Sequence, residues 1–152
     1  MNVYGPRQDY KGAYIAVIMK MLDRIDSGFN PIIYGDGSEA FDFISVEDCA
    51  EANICAMKSN ANDSFFNVGT GLRTSLKELA EIIIRLTNSE SIIEYKEGEQ
   101  KTFVRNRIGC PINAKNEIKF EAKTRLEDGL KKLIEWRQNH KSEVESRRNN
   151  LK

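Results

Sequence analysis

Two glycine pairs stand where a chain could cradle a phosphate. The first, Gly35-Asp36-Gly37-Ser38-Glu39-Ala40, has the G-x-G-x-x-A spacing of a dinucleotide-binding turn, with Ile32, Ile33 and Tyr34 in front of it. Such a turn works when a strand leads into it and a helix N-terminus follows to meet the pyrophosphate. Here Ala40 is followed by Phe41-Asp42-Phe43-Ile44-Ser45-Val46, in which aromatic and β-branched residues alternate with polar ones. That is a strand pattern. The stretch is a connection between two extended segments, with Gly35 and Gly37 supplying turn geometry, and the cofactor function fails on context.

The second pair lies in Phe65-Phe66-Asn67-Val68-Gly69-Thr70-Gly71, ahead of the helix signal Ser75-x-x-Glu78. Strand, glycine turn and helix come in the right order, but Thr74 stands where the third small residue belongs. A structural turn is the default, and an anion on the helix N-terminus is the alternative. Other chemistry is sparse. Cys49, Cys55 and Cys110 form no C-x-x-C, and their odd number and wide spacing argue against a disulfide framework and a zinc site. Thiols in a reducing cytoplasm are the expectation. The single histidine, His140, sits in a polar stretch and reads as a solvated helix position.

The 152 residues make about one domain, and 40% hydrophobic content is enough to bury a core. Lys plus Arg equals Asp plus Glu, 23 each, so no net field favours nucleic acid or an anionic membrane. No apolar run approaches the ~18 residues of a membrane span, and "MNVYGPRQDYKG" lacks the charged-then-apolar order of a signal peptide.

Four helices are expected to position these residues. One runs over 12–27, with a stripe of Tyr14, Ile15, Ile18, Met21, Leu22 and Ile25 closed by Ser27-Gly28. A second runs over 45–59, capped by Ser45, with Glu47 and Asp48 in its first turn and an inner face of Cys49, Ala50, Ile54 and Met57. The third and fourth start at capping boxes, Ser75-x-x-Glu78 and Thr124-x-x-Glu127. Short strands are expected at 32–34, 41–46, 65–68 and 92–95, a long basic connection over 96–110, and a short helix at 112–118. Residues 1–140 read as one domain and 141–152 as a charged tail that frays. Strands and helices in mixed order indicate an α/β or α+β fold.

Taken in order, "NVYGPRQ", "IYGDGSEAFDFISVEDCA", "FNVGTG" with "SLKELAEII", and "LEDGLKKLIEW" resemble a known family. It is the extended short-chain dehydrogenase/reductases, specifically the NAD-dependent nucleotide-sugar epimerases and dehydratases of UDP-glucose 4-epimerase type. The similarity covers residues 2 to about 137 and is to the C-terminal, substrate-binding half of that fold. The Rossmann portion, with its glycine-rich turn, has no counterpart here. The family's catalytic Tyr-x-x-x-Lys is also absent: the residues four after Tyr4, Tyr10, Tyr14, Tyr34 and Tyr95 are Gln8, Tyr14, Ile18, Ser38 and Glu99. In the family that tyrosine moves a proton while NAD takes hydride, and the C-terminal half grips the nucleotide diphosphate.

The resemblance implies substrate contacts at five positions. Asn2 precedes the tyrosine-glycine-proline turn and looks toward the diphosphate, a capping or turn role being the alternative. Tyr34 matches an aromatic near the nucleotide base, or else packs in a hairpin. Arg107, and less surely Arg105, lie where relatives set an arginine on the diphosphate, a use that suits a planar fork. Asn67 is a secondary contact, or a residue the turn needs.

There are departures. Phe41 stands where many relatives have a phosphate-binding arginine, Cys110 where an aspartate is common, and Lys119 where a glycine is usual. No cofactor is expected on this chain alone, with NAD belonging to the full-length family. The expected ligand is a nucleotide sugar, a UDP-sugar first. The alternatives are a free-standing nucleotide-sugar-binding module, or a partner completing a separately encoded cofactor domain. Helix 45–59 and strand 65–68 join the cofactor sheet in the family, so here Ile54, Met57, Phe65 and Val68 would be exposed and favour self-association.

Overall fold

The computed structural model describes residues 1–8, 16–98 and 104–149. In chain order its elements are β1 (Asn2–Tyr4), α1 (Val17–Asp26), β2 (Ile32–Tyr34), β3 (Ala40–Phe41), β4 (Phe43–Ser45) and α2 (Val46–Lys58). There follow β5 (Thr74–Ser75), α3 (Leu76–Leu86), β6 (Glu94–Lys96), β7 (Asn106–Arg107), α4 (Ile112–Glu117), α5 (Leu126–Asn139) and α6 (Lys141–Asn149). The mixed α/β class is as expected. The strands form three small sheets: β1 parallel to β4, β2 parallel to β6, and β3 between an antiparallel β5 and a parallel β7.

The segment expected as one strand over 41–46 is two strands split at Asp42, each serving a different sheet, and Val46 already belongs to α2. Alternation along β4 then divides the interior. Phe43 enters a cluster with Tyr4, Ile18, Leu22, Ile33, Leu79, Ile83, Leu130 and Leu133. Ile44 enters a second cluster with Ala52, Ala114, Ile118 and Phe120.

α1 buries Ile18, Met19, Met21 and Leu22 on one stripe, while Tyr14 and Ile15 of the expected helix lie outside the described residues. Arg137 of α5, almost fully buried, holds α1 in place through Asp23 at 2.6 Å and Asp26 at 2.5 Å. α2 is capped by Ser45, whose hydroxyl accepts the Glu47 N–H at 3.2 Å. Its buried residues are Asp48 and Ala52, and Cys49 packs against the second cluster; Ala50, expected inside, is exposed, and Ile54 and Met57 are exposed as expected of the chain on its own. The cause is Asp48, which accepts the Lys123 and Thr124 N–H groups at 3.1 Å each and so rolls its own face inward.

The same contact corrects the second capping box. Thr124 gives its N–H to Asp48, α5 starts after Arg125 with no side-chain cap, and Glu127 pairs with Arg85 at 2.8 Å. Gly129 of α5 is required by Tyr4, whose hydroxyl lies where a Cβ would stand. Burial, then the nearby carboxylates of Asp48, Asp128 and Glu47, push the Tyr4 phenol well above its usual range.

Other expectations are revised by tertiary packing. Residues 65–68 form no strand: Phe65 is exposed, and Val68, expected to be exposed, packs against the second cluster. The strand expected at 92–95 is shifted to Glu94–Lys96, and β1, β5 and β7 were not foreseen. The basic connection over 96–110 contains β7, with residues 99–103 outside the described set. The charged tail is helix α6 as far as Asn149, and its Val144 is buried in the main cluster; residues 150–152 lie outside the described set. Lys119 takes the left-handed backbone that a glycine would favour, φ 59°, and its Nζ donates to the Asn116 carbonyl at 2.7 Å.

α3 begins at the expected capping box: Ser75 accepts the Glu78 N–H at 3.2 Å, and Glu78 accepts the Ser75 N–H at 2.7 Å. The Ser75 hydroxyl and N–H hold the Glu78 carboxyl below its ordinary range. A lowered folded value means this contribution is complete above about pH 4.3, the unfolded glutamate value, and is lost as pH falls through the folded one. Ser75→Ala is expected to cost about 1 kcal/mol in urea unfolding. Glu78→Gln is expected to show a flatter acid limb than the wild-type chain when urea midpoints are plotted against pH. Superimposable acid limbs would mean the carboxylate is not engaged.

Candidate functional site

Two of the five residues singled out above, Asn2 and Arg107, are placed by strand register. β7 lies beside β3 with Phe41 opposite Arg107 and Ala40 opposite Asn106. β1 lies beside β4 with Asn2 opposite Phe43. Phe41 and Phe43, two apart and therefore on one face, touch edge to face at 6.3 Å between ring centres. Register partners share a face, so Asn2 and Arg107 flank Phe43 and Phe41, whose rings pack into the main cluster and leave the two polar residues at either side of it. Arg107 is exposed and Asn2 half-buried.

Arg105, two residues before Arg107 and just outside β7, is exposed. Its carbonyl accepts the Ala40 N–H at 2.9 Å. It lies near enough to Asp36 to help hold that carboxyl low, after the hydrogen bonds from Ser38. Asp36 itself accepts the Ser38 N–H at 2.9 Å in the turn that follows Tyr34. Tyr34 is not in a hairpin, because β2 pairs in parallel with β6, and the residue is 53% exposed.

Asp42 holds this arrangement. Its N–H donates to the Arg107 carbonyl and its carbonyl accepts the Asn2 N–H, both at 2.9 Å. Its side chain, on the opposite side of the strand from Phe41 and Phe43, is fully buried. Oδ1 accepts the Thr70 N–H at 3.0 Å and hydroxyl at 2.6 Å; Oδ2 accepts the N–H of Gly71 at 2.9 Å and of Gly109 at 3.3 Å. A Cβ on Gly69 would stand 2.5 Å from Oδ2, so the loop can close only with glycine there.

The anion expected as an alternative at the second glycine turn is therefore internal: the turn amides bind Asp42. The first turn of α3 is closed by its own capping box. The first glycine pair, with Gly35 and Gly37 at positive φ, leads into β3 and not into a helix. Neither turn offers the helix N-terminus that a dinucleotide pyrophosphate needs. Asn67 is exposed in the loop tied to the Asp42 carboxylate, and among the described residues no hydrogen bond joins it to the other four. A cavity of about 510 Å³ between α1, α3, α5 and α6 is lined by Leu22, Thr87, Ile134, Arg137 and Val144, and by none of the five.

Sequence reasoning missed Asp42. Its signal was a carboxylate between two aromatics on a strand, which alternation must turn away from them.

Residues 1–69 match the model of the NAD dependent epimerase/dehydratase family. The UDP-glucose 4-epimerase of Thermotoga maritima, solved with UDP-glucose, is similar with a TM-score of 0.84 and 34% identity, covering 91% of this chain and 44% of that one. A UDP-N-acetylglucosamine 4-epimerase of Methanobrevibacter ruminantium, in complex with UDP-N-acetylmuramic acid, gives 0.83 and 32% over 91% and 44%. A UDP-N-acetyl-alpha-D-glucosaminuronate decarboxylase of Bacillus cytotoxicus is 32% identical over 89% of this chain and 43% of its own. The chain spans less than half the length of the relatives it matches.

Removing the Asp42 acceptor takes the partner from the Thr70, Gly71 and Gly109 N–H groups, the last of them buried. Asp42→Ala is expected to cost about 3 kcal/mol or more in urea unfolding, with Asp42→Asn losing less because one oxygen remains. Gly69→Ala is expected to destabilise as well. A loss no greater than that of the exposed control Glu90→Ala would refute the role given to this carboxylate.

Proposed function

Because the chain belongs to the NAD-dependent epimerase/dehydratase family and spans under half the length of its relatives, we propose that it is the nucleotide-sugar-binding portion of such an enzyme. The observation that carries this reading is that strand register sets Asn2 and Arg107 at either side of the core pair Phe43 and Phe41, on two strands that meet at Asp42. Arg107 offers a planar fork to the diphosphate, and the Asn2 amide donates from the other side. Arg105 shares its charge with Asp36 and supports Arg107 more weakly. Tyr34 faces the base. A UDP-sugar is the first candidate, as in the relatives solved with such ligands. Asn67, exposed in the loop that Asp42 ties down, offers a secondary contact.

These residues do not fit NAD, since neither glycine turn presents a free helix N-terminus, and no step is assigned to the cofactor here. The sequence also lacks Tyr-x-x-x-Lys. Proton transfer and cofactor binding would then be the work of a complementary portion, and these 152 residues would turn nothing over alone. The surface supports such a complement: Val3, Val46, Ile54, Met57 and Phe65 are exposed on β1, α2 and the loop after it, Met57 at 85% and Phe65 at 97%. Without a complement this surface drives self-association. Three free cysteines are in keeping with a cytoplasmic protein.

Calorimetry with UDP-glucose tests the proposal. Binding is expected for the wild-type chain, with Arg107→Ala and Asn2→Ala each weakening it about tenfold, in line with ~1.5–3 kcal/mol for hydrogen bonds to charged groups. No heat with the folded chain, or full affinity in Arg107→Ala, would defeat it. Light scattering is expected to show oligomers that Met57→Glu with Phe65→Glu dissolves. A sharp wild-type monomer at high concentration would remove the argument from the apolar surface.

A further inference from the structure

We propose that the cleft between α1, α3, α5 and α6 binds a linear aliphatic polyamine. The cleft has a volume of about 510 Å³ and includes none of the residues assigned to the nucleotide sugar, so this site is independent of that reading.

The floor of the cleft is apolar. Leu22 and Ile25 of α1, Ile134 of α5 and Val144 of α6 line it, and all but Ile25 are buried. The rim is charged and exposed, with Asp26 on α1 and Lys141 and Glu145 on α6. Lys141, Val144 and Glu145 are three and four residues apart, so one face of α6 carries all three to the cleft. An apolar floor between charged edges suits an alkyl chain that ends in ions. A lysine stem uses the same arrangement when it lies along apolar surface with its ammonium in water.

The sign of those ions follows from the carboxylates. Arg137 also lines the cleft, but it is almost fully buried and lies between Asp23 at 2.6 Å and Asp26 at 2.5 Å. Two carboxylates on one guanidinium leave negative charge in excess. Asp26, with 43% of its side chain exposed against 26% for Asp23, carries that excess to the rim. Glu145 adds a second carboxylate from α6, which Lys141 offsets in part. Three helices also bring their last turns here, α1 at Asp26, α3 at Thr87 and α5 at Gln138. The carbonyl end of a helix favours a cation. The field therefore selects a cation, and carboxylates on two walls select one charged at both ends. One ammonium at Asp26 and another at Glu145 tie α6 to α1 across the apolar floor.

The full 152-residue chain is titrated with spermidine by calorimetry at physiological ionic strength, where general attraction between exposed charges is screened. Binding at one site is expected. Glu145→Gln is expected to lower the affinity about threefold, the scale of one exposed ion pair, and Lys141→Gln to raise it by a similar factor. Glu117→Gln, which removes the same charge from exposed α4, is expected to leave it unchanged. In NMR spectra of the complex, nuclear Overhauser contacts are expected from the spermidine methylenes to the methyls of Ile25, Ile134 and Val144. Mg²⁺, which brings charge without an alkyl chain, is expected not to displace the ligand. No heat with spermidine, equal losses in Glu145→Gln and Glu117→Gln, or displacement by Mg²⁺ would overturn the proposal. Bound spermidine that makes no contact with those methyls would overturn it as well.

Discussion

The buried carboxylate of Asp42 is the interaction on which the rest of the structure depends. A carboxylate removed from water is costly unless its oxygens are given donors. Here the donors come from two segments remote in sequence, Thr70 and Gly71 on one side and Gly109 on the other. Satisfying one charge therefore closes the loop after α2 and the segment before α4 onto the same strand. The peptide groups of the same residue bond to Asn2 and to Arg107. Asp42 is thus where two sheets separate and where the two ends of the candidate site are set relative to each other.

Asp48 repeats the device one layer away. Its oxygens take the N–H groups of Lys123 and Thr124 and fix the start of α5 against the first turn of α2. The Tyr4 ring reaches α5 at Gly129, where no side chain can stand. Arg137 then ties the other end of α5 to α1. The candidate residues gain rigidity from this frame, since they sit on strands whose backbones are anchored and not on a free loop. Asn67 lacks that support, being in the loop itself.

Parts of this were legible in the residues. Ser75-x-x-Glu78 announced α3 because a cap is a local exchange of hydrogen bonds between neighbours. Ser45 with Glu47 and Asp48 announced α2 for the same reason, and a strand pattern after Ala40 ruled out a helix following the first glycine pair. The misses have a common cause. Thr124-x-x-Glu127 looks like a cap, yet Asp48 takes the Thr124 amide and Arg85 takes the Glu127 carboxylate. Ala50 was expected on the inner face of α2, which Asp48 and Ala52 take instead. The tail past Trp136 reads as charge alone, but a single valine, Val144, reaches the main core and α6 forms around it.

The sequence by itself determined the mixed α/β class, the caps, the glycine turns and the resemblance to one enzyme family, because these depend on residues within a few positions of one another or on their order. The tertiary structure alone decided that Asn2 and Arg107 flank Phe43 and Phe41, that the second glycine turn binds an internal carboxylate, and that Asp48 takes the amides ahead of α5. Each of these is a meeting of segments tens of residues apart. Such meetings are chosen by which partners can satisfy a buried charge or fill a buried space, and no local spacing records that choice.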